Sequence, residues 1–292
     1  MRVGLRPWLR WLRTPKALVI MTLLVLSAVA APAEGLGRVV LQIGAAVCGA
    51  VAVDLVVARL RRGAVDIPDG AAISGLIVAL VLIAGAPPLV AFAAAAVAVA
   101  SKHFLATAQV HLFNPAAVGL LIGLVVFPTG HSWWGALTDL PWPASAILIG
   151  CAVVVANRVR RLPMLIAFLL IYFAAFALMA LPLSGSVPRL AEVFRIPFLN
   201  AAIFFSGFML TDPVTSPSRP REQLWFAGVA AVASAITFMV EVGLWYLFIG
   251  LLSANAWWAW RRTVASAAAA SGTRPGWARE PLGTSLPGEV ET

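Results

Sequence analysis

From Gly70 to Ser101 the chain contains no aspartate, glutamate, lysine or arginine. A stretch that long without charge offers water no face, and similar runs recur from Leu140 to Asn157, Leu162 to Pro188 and Ile196 to Thr211. Only a low-dielectric surrounding suits such segments. Composition agrees: 61% of residues are hydrophobic, 11% are charged, and the mean hydropathy is +0.94. These values exclude a water-soluble globule and define an integral membrane protein. Apolar segments use up nearly all of the 292 residues, so the sequence leaves no room for a separate globular catalytic domain.

A helix crosses the hydrocarbon core in about 20 residues, and half-helices are shorter. On that scale the charge-free runs predict ten spans, at about 17–33, 36–58, 70–85, 88–107, 113–127, 144–157, 162–181, 196–211, 223–240 and 242–260. Pro87 and Pro88 separate the third from the fourth by removing two backbone donors. With the amino terminus inside, only Arg38, Arg189 and Arg195 of the 21 lysines and arginines fall outside. The positive-inside rule then places both termini in the cytoplasm and the chain in the inner (plasma) membrane. The formal charge of +9 is explained by this orientation, not by nucleic-acid binding. Cys48 and Cys151 sit in apolar segments and form no CxxC, which excludes a self-contained zinc or iron–sulfur site and a disulfide framework.

The expected organisation is a cytoplasmic amphipathic segment over 1–16, a membrane domain over 17–262 and a disordered cytoplasmic tail over 263–292. Arg6, Arg10 and Arg13 lie opposite Leu5, Trp8, Leu9 and Leu12 in the first segment, as in a helix lying on an anionic leaflet. The tail is small, polar and proline-bearing. Ten spans divide into halves of about 17–127 and 144–262. An odd number per half makes the two halves enter the bilayer in opposite directions, the inverted-repeat arrangement. The third span of each half is short and carries a Ser-Gly pair, Ser74-Gly75 and Ser206-Gly207. Paired short segments mark the central site in such folds.

Three stretches carry a family resemblance: "DGAAISGLIVAL" from Asp69, "SKHF" with "FNPAAVGL" between Ser101 and Leu120, and "FMLTDPVTSP" from Phe208. Together and in this order they resemble the RnfD/NqrB family, the membrane subunits of Rnf and sodium-pumping NADH:quinone oxidoreductase complexes. The "GHSWWGAL" loop and the "RTPKALV" start look like stand-alone actinobacterial members, including those found with enediyne biosynthesis clusters. The resemblance implies an all-α, urea-transporter-like fold of two inverted five-helix halves, flavin cofactors, and other membrane or soluble redox subunits as partners besides the lipid bilayer. It also exposes a departure. Family members with a covalent flavin mononucleotide carry an aspartate followed by Ser/Thr-Gly-Ala-Thr, and the matching "LPLSGSVP" has Leu181 at the aspartate and Val187 at the threonine. Valine has no oxygen to esterify, so no covalent FMN is expected at Val187, and Ser186, one residue early, lacks the aspartate.

Ionisable and amide groups inside a membrane are candidates for function. The expected site lies between the halves, near Ser74 and Gly75 on one side and Thr211 and Asp212 on the other. The two glycines there would let a planar ring approach the backbone. Asp69, Asn114, Thr211, Asp212 and Thr215 would supply the polar contacts, and Lys102 would balance the charge of a reduced ring. The ligand expected is a non-covalent flavin (riboflavin or FMN) or a quinone. Each residue also has a structural reading: Lys102 and His103 as interfacial side chains, Asn114-Pro115 as a helix cap, and the Thr211–Pro217 cluster as a helix stop. Asp54 is expected to pair with the basic cluster at Arg59–Arg62, His111 and His131 to be solvated, and Glu241 to be a loop carboxylate. Three function classes remain open: an electron-transfer subunit, a small-solute transporter or channel, and a structural subunit. Fold alone does not choose among them.

Overall fold

The computed structural model describes residues 11–62, 68–107, 110–127, 129–180, 191–240 and 245–270. The amphipathic segment up to residue 10, the 181–188 stretch, Glu241 and the tail beyond Ala270 lie outside the described residues. Among the described residues ten α-helices succeed one another: α1 (Pro15–Glu34), α2 (Leu36–Arg62), α3 (Asp69–Val81), α4 (Pro88–Phe104), α5 (Pro115–Val126), α6 (Trp142–Arg158), α7 (Leu162–Ala180), α8 (Ile196–Phe204), α9 (Pro220–Met239) and α10 (Tyr246–Ala270). Each falls on a predicted span, although α2 runs past residue 58, α3 stops at Val81, α8 gives way to a π-turn after Phe204 and α10 runs to Ala270. Its last turns are rich in alanine, the strongest helix former, and this outweighs the small, polar character that suggested disorder from residue 263.

Local chemistry sets most starts. Proline occupies the first or second position of α1, α4, α5, α6, α8 and α9, where its missing N–H has no partner to lose. Thr14 and Asn114 add side-chain caps, accepting from Ala17 N and Ala117 N. Four helices, α1, α2, α7 and α9, are long and apolar enough to cross a bilayer unaided. By contrast α3 has 13 residues and α5 has 12, about 20 and 18 Å against a hydrocarbon core of about 30 Å. α8 ends as a π-turn over Phe205–Leu210.

Successive helices alternate in direction, and the short connections put the starts of α1, α3, α5, α7 and α9 on one face. Arg13, Lys16, Arg61, Lys102, Arg158, Arg160, Arg161, Arg219 and Arg221 gather there. We call this the basic face. Each half opens in the opposite sense, α1 from the basic face and α6 from the other. Within the halves, the α2–α4 and α4–α5 packings correspond to α7–α9 and α9–α10. Between the halves, α1 meets α6 and α5 meets α10, so equivalent helices face each other. This is the contact pattern of an inverted repeat.

One detail fixes the register. Gly119 and Gly250 are each the fifth residue of their helix. A Cβ on Gly119 would collide with Ala98 and the Ala94 carbonyl, and one on Gly250 with Ser234 and the Ala230 carbonyl. Both glycines press on residues four apart on the preceding helix, the small-residue contact that lets membrane helices pack closely. The Ser-Gly pairs behave differently. A Cβ on Gly75 would sit 2.9 Å from the Ala46 carbonyl oxygen of α2, whereas one on Gly207 would lie 2.6 Å from the Ala152 Cβ of α6. These glycines admit neighbouring helices and not a planar ring, so the expected approach of a ligand to them is not what the packing provides.

Candidate functional site

Broken helices leave carbonyls unpaired, and at membrane depth the protein itself must satisfy them. The two halves do this at opposite faces. α8 ends at the basic face, where Asn114, the cap of α5, reaches across the halves: its Nδ2 donates to the Met209 carbonyl at 3.1 Å and its backbone N donates to Asn255 Oδ1 at 2.9 Å. Asn255 Nδ2 in turn donates to the Thr215 carbonyl at 3.2 Å. Asn114 and Asn255 are almost wholly buried, and each uses both ends of its amide.

The Thr211–Pro217 turn is bound to this pair and to itself. Thr211 Oγ1 donates to the Gly207 carbonyl at 2.6 Å. Asp212 organises the residues after it, its carboxylate accepting from Val214 N and Thr215 Oγ1, both at 3.1 Å, while its carbonyl accepts from Ser216 Oγ at 2.6 Å. Arg161, only 6% exposed, donates from Nε to Ser216 Oγ at 3.2 Å. Burial lowers the pKa of its guanidinium and the Asp212 carboxylate acts against that shift. Gln223 Nε2 ties the α6–α7 turn to the same loop through the carbonyls of Arg160 and Ser218. The cluster is therefore a polar seam between the halves, with Asn114, Thr211, Asp212 and Thr215 together as the sequence suggests. Asn255 and Arg161 complete it. A mid-helix asparagine in "LLSANAWW" is the signal that finds the first; Arg161 reads as one more positive-inside arginine.

Asp69, Ser74 and Lys102 bond to other partners. Asp69 accepts from Lys16 Nζ at 2.7 Å and from Gly70 N, capping its own helix. Ser74 Oγ donates to the Gly70 carbonyl at 3.1 Å. Lys102 Nζ donates to Asp54 Oδ1 at 2.8 Å, and His103 Nε2 lies 3.0 Å from the same oxygen. Asp54 thus pairs across α2 and α4, not with Arg59–Arg62 along its own helix. Helical rotation points Asp54 at α4, while Arg59 and Arg61 are exposed. Lys102 accordingly serves this ion pair.

At the opposite face the exposed carbonyls belong to α3. After Val81 the chain extends, and Ile83 N donates to the Gly130 carbonyl while Trp133 N donates to that of Val81, both at 3.1 Å, around a bridge between Leu82 and His131. Trp134 Nε1 and Gln42 Nε2 both reach the Ala79 carbonyl, at 2.8 and 2.9 Å. The "GHSWWGAL" loop is folded inward: His131, Trp133 and Trp134 are at most 6% exposed. His131 is hence buried, contrary to its expected solvation. Its Nδ1 accepts from Trp133 Nε1 at 3.1 Å, which leaves no proton on that nitrogen. Trp133 stacks on Phe248 of α10 and meets Phe204 of α8 edge-on. Burying an indole of about 150–250 Å² contributes about 4–6 kcal/mol.

Ten helices in two inverted halves, with broken helices sealed at both faces, define a polytopic membrane scaffold. Residues 12–144, somewhat under half of the chain, match the model of the NQR2, RnfD, RnfE family, and over that part the chain is similar to this family. The match covers α1 to α5 and the inward-folded loop, and ends before the Thr211–Pro217 turn. No curated protein matches the chain significantly.

Proposed function

We propose that the chain is a membrane electron-transfer subunit that binds a flavin (riboflavin or FMN) or a quinone non-covalently between its halves, beside the Asn114–Asp212 seam, and exchanges electrons with separate redox partners. The observation that carries this reading is the family match over residues 12–144. Two features support it. The seam is where irregular backbone, buried amides and a carboxylate meet at the boundary of the halves, the usual setting for a central site. The basic face, taken as cytoplasmic by the positive-inside rule, would attract the acidic surface of a soluble electron carrier. Leu181 and Val187 argue against covalent attachment.

Asn114, Asn255 and Thr211 spend their polar atoms on protein partners. A ligand would therefore contact Asp212 and the exposed side of its turn, while the amides hold the frame. The test is organic extraction of mildly solubilised protein. A flavin or quinone should be released at close to one per chain, Asp212→Ala should lower the yield several-fold, and the denatured protein should show no fluorescent band on a gel. Recovery of neither ligand, with solute uptake by proteoliposomes, would replace this reading by that of a small-solute channel.

A further inference from the structure

The two seals between the halves are built from different bonds. The geometry points to residues 130–138 as a fixed plug, with the boundary between the halves opening toward the basic face alone, at the Asn114 seam. At the plug, Trp133 is a wedge: its backbone is bonded to α3 of the first half, and its ring lies between Phe204 and Phe248 of the second. Backbone pairing at Ile83 and Trp133 and the Trp134–Ala79 bond hold the loop down. Ser132 Oγ accepts from Ala84 N at 3.3 Å, and Thr138 Oγ1 bonds back to the Ser132 carbonyl. Asn200 Nδ2 of α8 donates to the Leu137 carbonyl.

Trp133 and Leu137 both adopt left-handed backbone conformations, φ 55° and 58°. Non-glycine residues keep such conformations only where their surroundings over-determine them. Moving this loop would expose two indoles and leave backbone groups of α3 unpaired. At the basic face, by contrast, the seam is bridged through Asn114, by its bonds to Asn255 Oδ1 and the Met209 carbonyl. Exposed Pro213 and Val214 adjoin them. Water can take over those bonds as they break, so the seam is the side that yields.

Access can be measured directly in the full chain, with Cys48 and Cys151 replaced by alanine and oriented vesicles of either sense. The reporters are Ala117→Cys, under the seam, and Ala79→Cys, under the plug, probed with a small charged methanethiosulfonate. Ala117→Cys should react from the basic face only, and roughly tenfold faster with Asn255→Ala, the change expected when the one Asn255 hydrogen bond that crosses between the halves is lost. Ala79→Cys should be inert from the opposite face and react there with Trp133→Ala, while Trp133→Phe keeps it closed. Should Trp133→Ala misfold, a disulfide between Ala84→Cys and Ser132→Cys locks the plug and must leave basic-face labelling unchanged. Labelling from the opposite face with the plug intact, a lock that slows basic-face labelling, or no effect of Asn255→Ala overturns the inference. None of these readouts needs a bound flavin or quinone, so this inference and the electron-transfer reading fail separately.

Discussion

Asn114 links three helices, through its side chain and its backbone N together. It caps α5, bonds the end of α8 and receives α10 through Asn255. Residues that share a hydrogen-bond network couple non-additively, typically by about 0.5–3 kcal/mol. Asn114→Ala and Asn255→Ala should therefore each lower the thermal midpoint in detergent, while the double variant loses less than the sum. Strict additivity would mean that the two amides act separately. "FNP" shows the cap to a reader of sequence, because asparagine before proline is a recognisable helix start. Its second bond, to Met209, is not legible, since it depends on where α8 breaks. Asp54 teaches the same lesson: its neighbours in sequence are arginines, yet its partners are Lys102 and His103, 48 and 49 residues away.

At the scale of elements, charge-free runs locate all ten helices because bilayer thickness constrains their length independently of tertiary contacts. The "GHSWWGAL" loop is the exception. Its polar and glycine residues suggest an outer loop, whereas two tryptophans with N–H donors and the open carbonyls of α3 draw it inward. The Ser-Gly pairs suggest equivalence by their spelling, but the true equivalents are Gly119 and Gly250, which become visible only once helix ends are known. Replacing either with leucine should be costly, about 1–3 kcal/mol or more for an overpacked contact. Because a Cβ already collides with backbone carbonyls at both sites, alanine should also destabilise. Thermal midpoints of Gly119→Ala, Gly250→Ala and, for comparison, Gly150→Ala, where a Cβ meets nothing within 4 Å, measure this. Gly150→Ala should be neutral or mildly stabilising.

For the whole molecule, orientation is the property on which the plug and the docking face both depend. Exposed Asp139, replaced by cysteine, should react with an impermeant reagent in intact cells, whereas cysteines at exposed Arg61 and Ser218 should not; labelling at Arg61 would sink the inside-inside topology. The pairing of equivalent helices also bears on how the chain is made. The bond between Asn114 and Asn255 spans 141 positions, and synthesis at about 5–20 residues per second separates their emergence by about 7–28 s. Throughout that interval α1 to α5 stand in the bilayer with the α5 cap lacking its partner. A chain whose synthesis halts before α10 thus keeps the Asn114 backbone N at the basic face without its Asn255 partner.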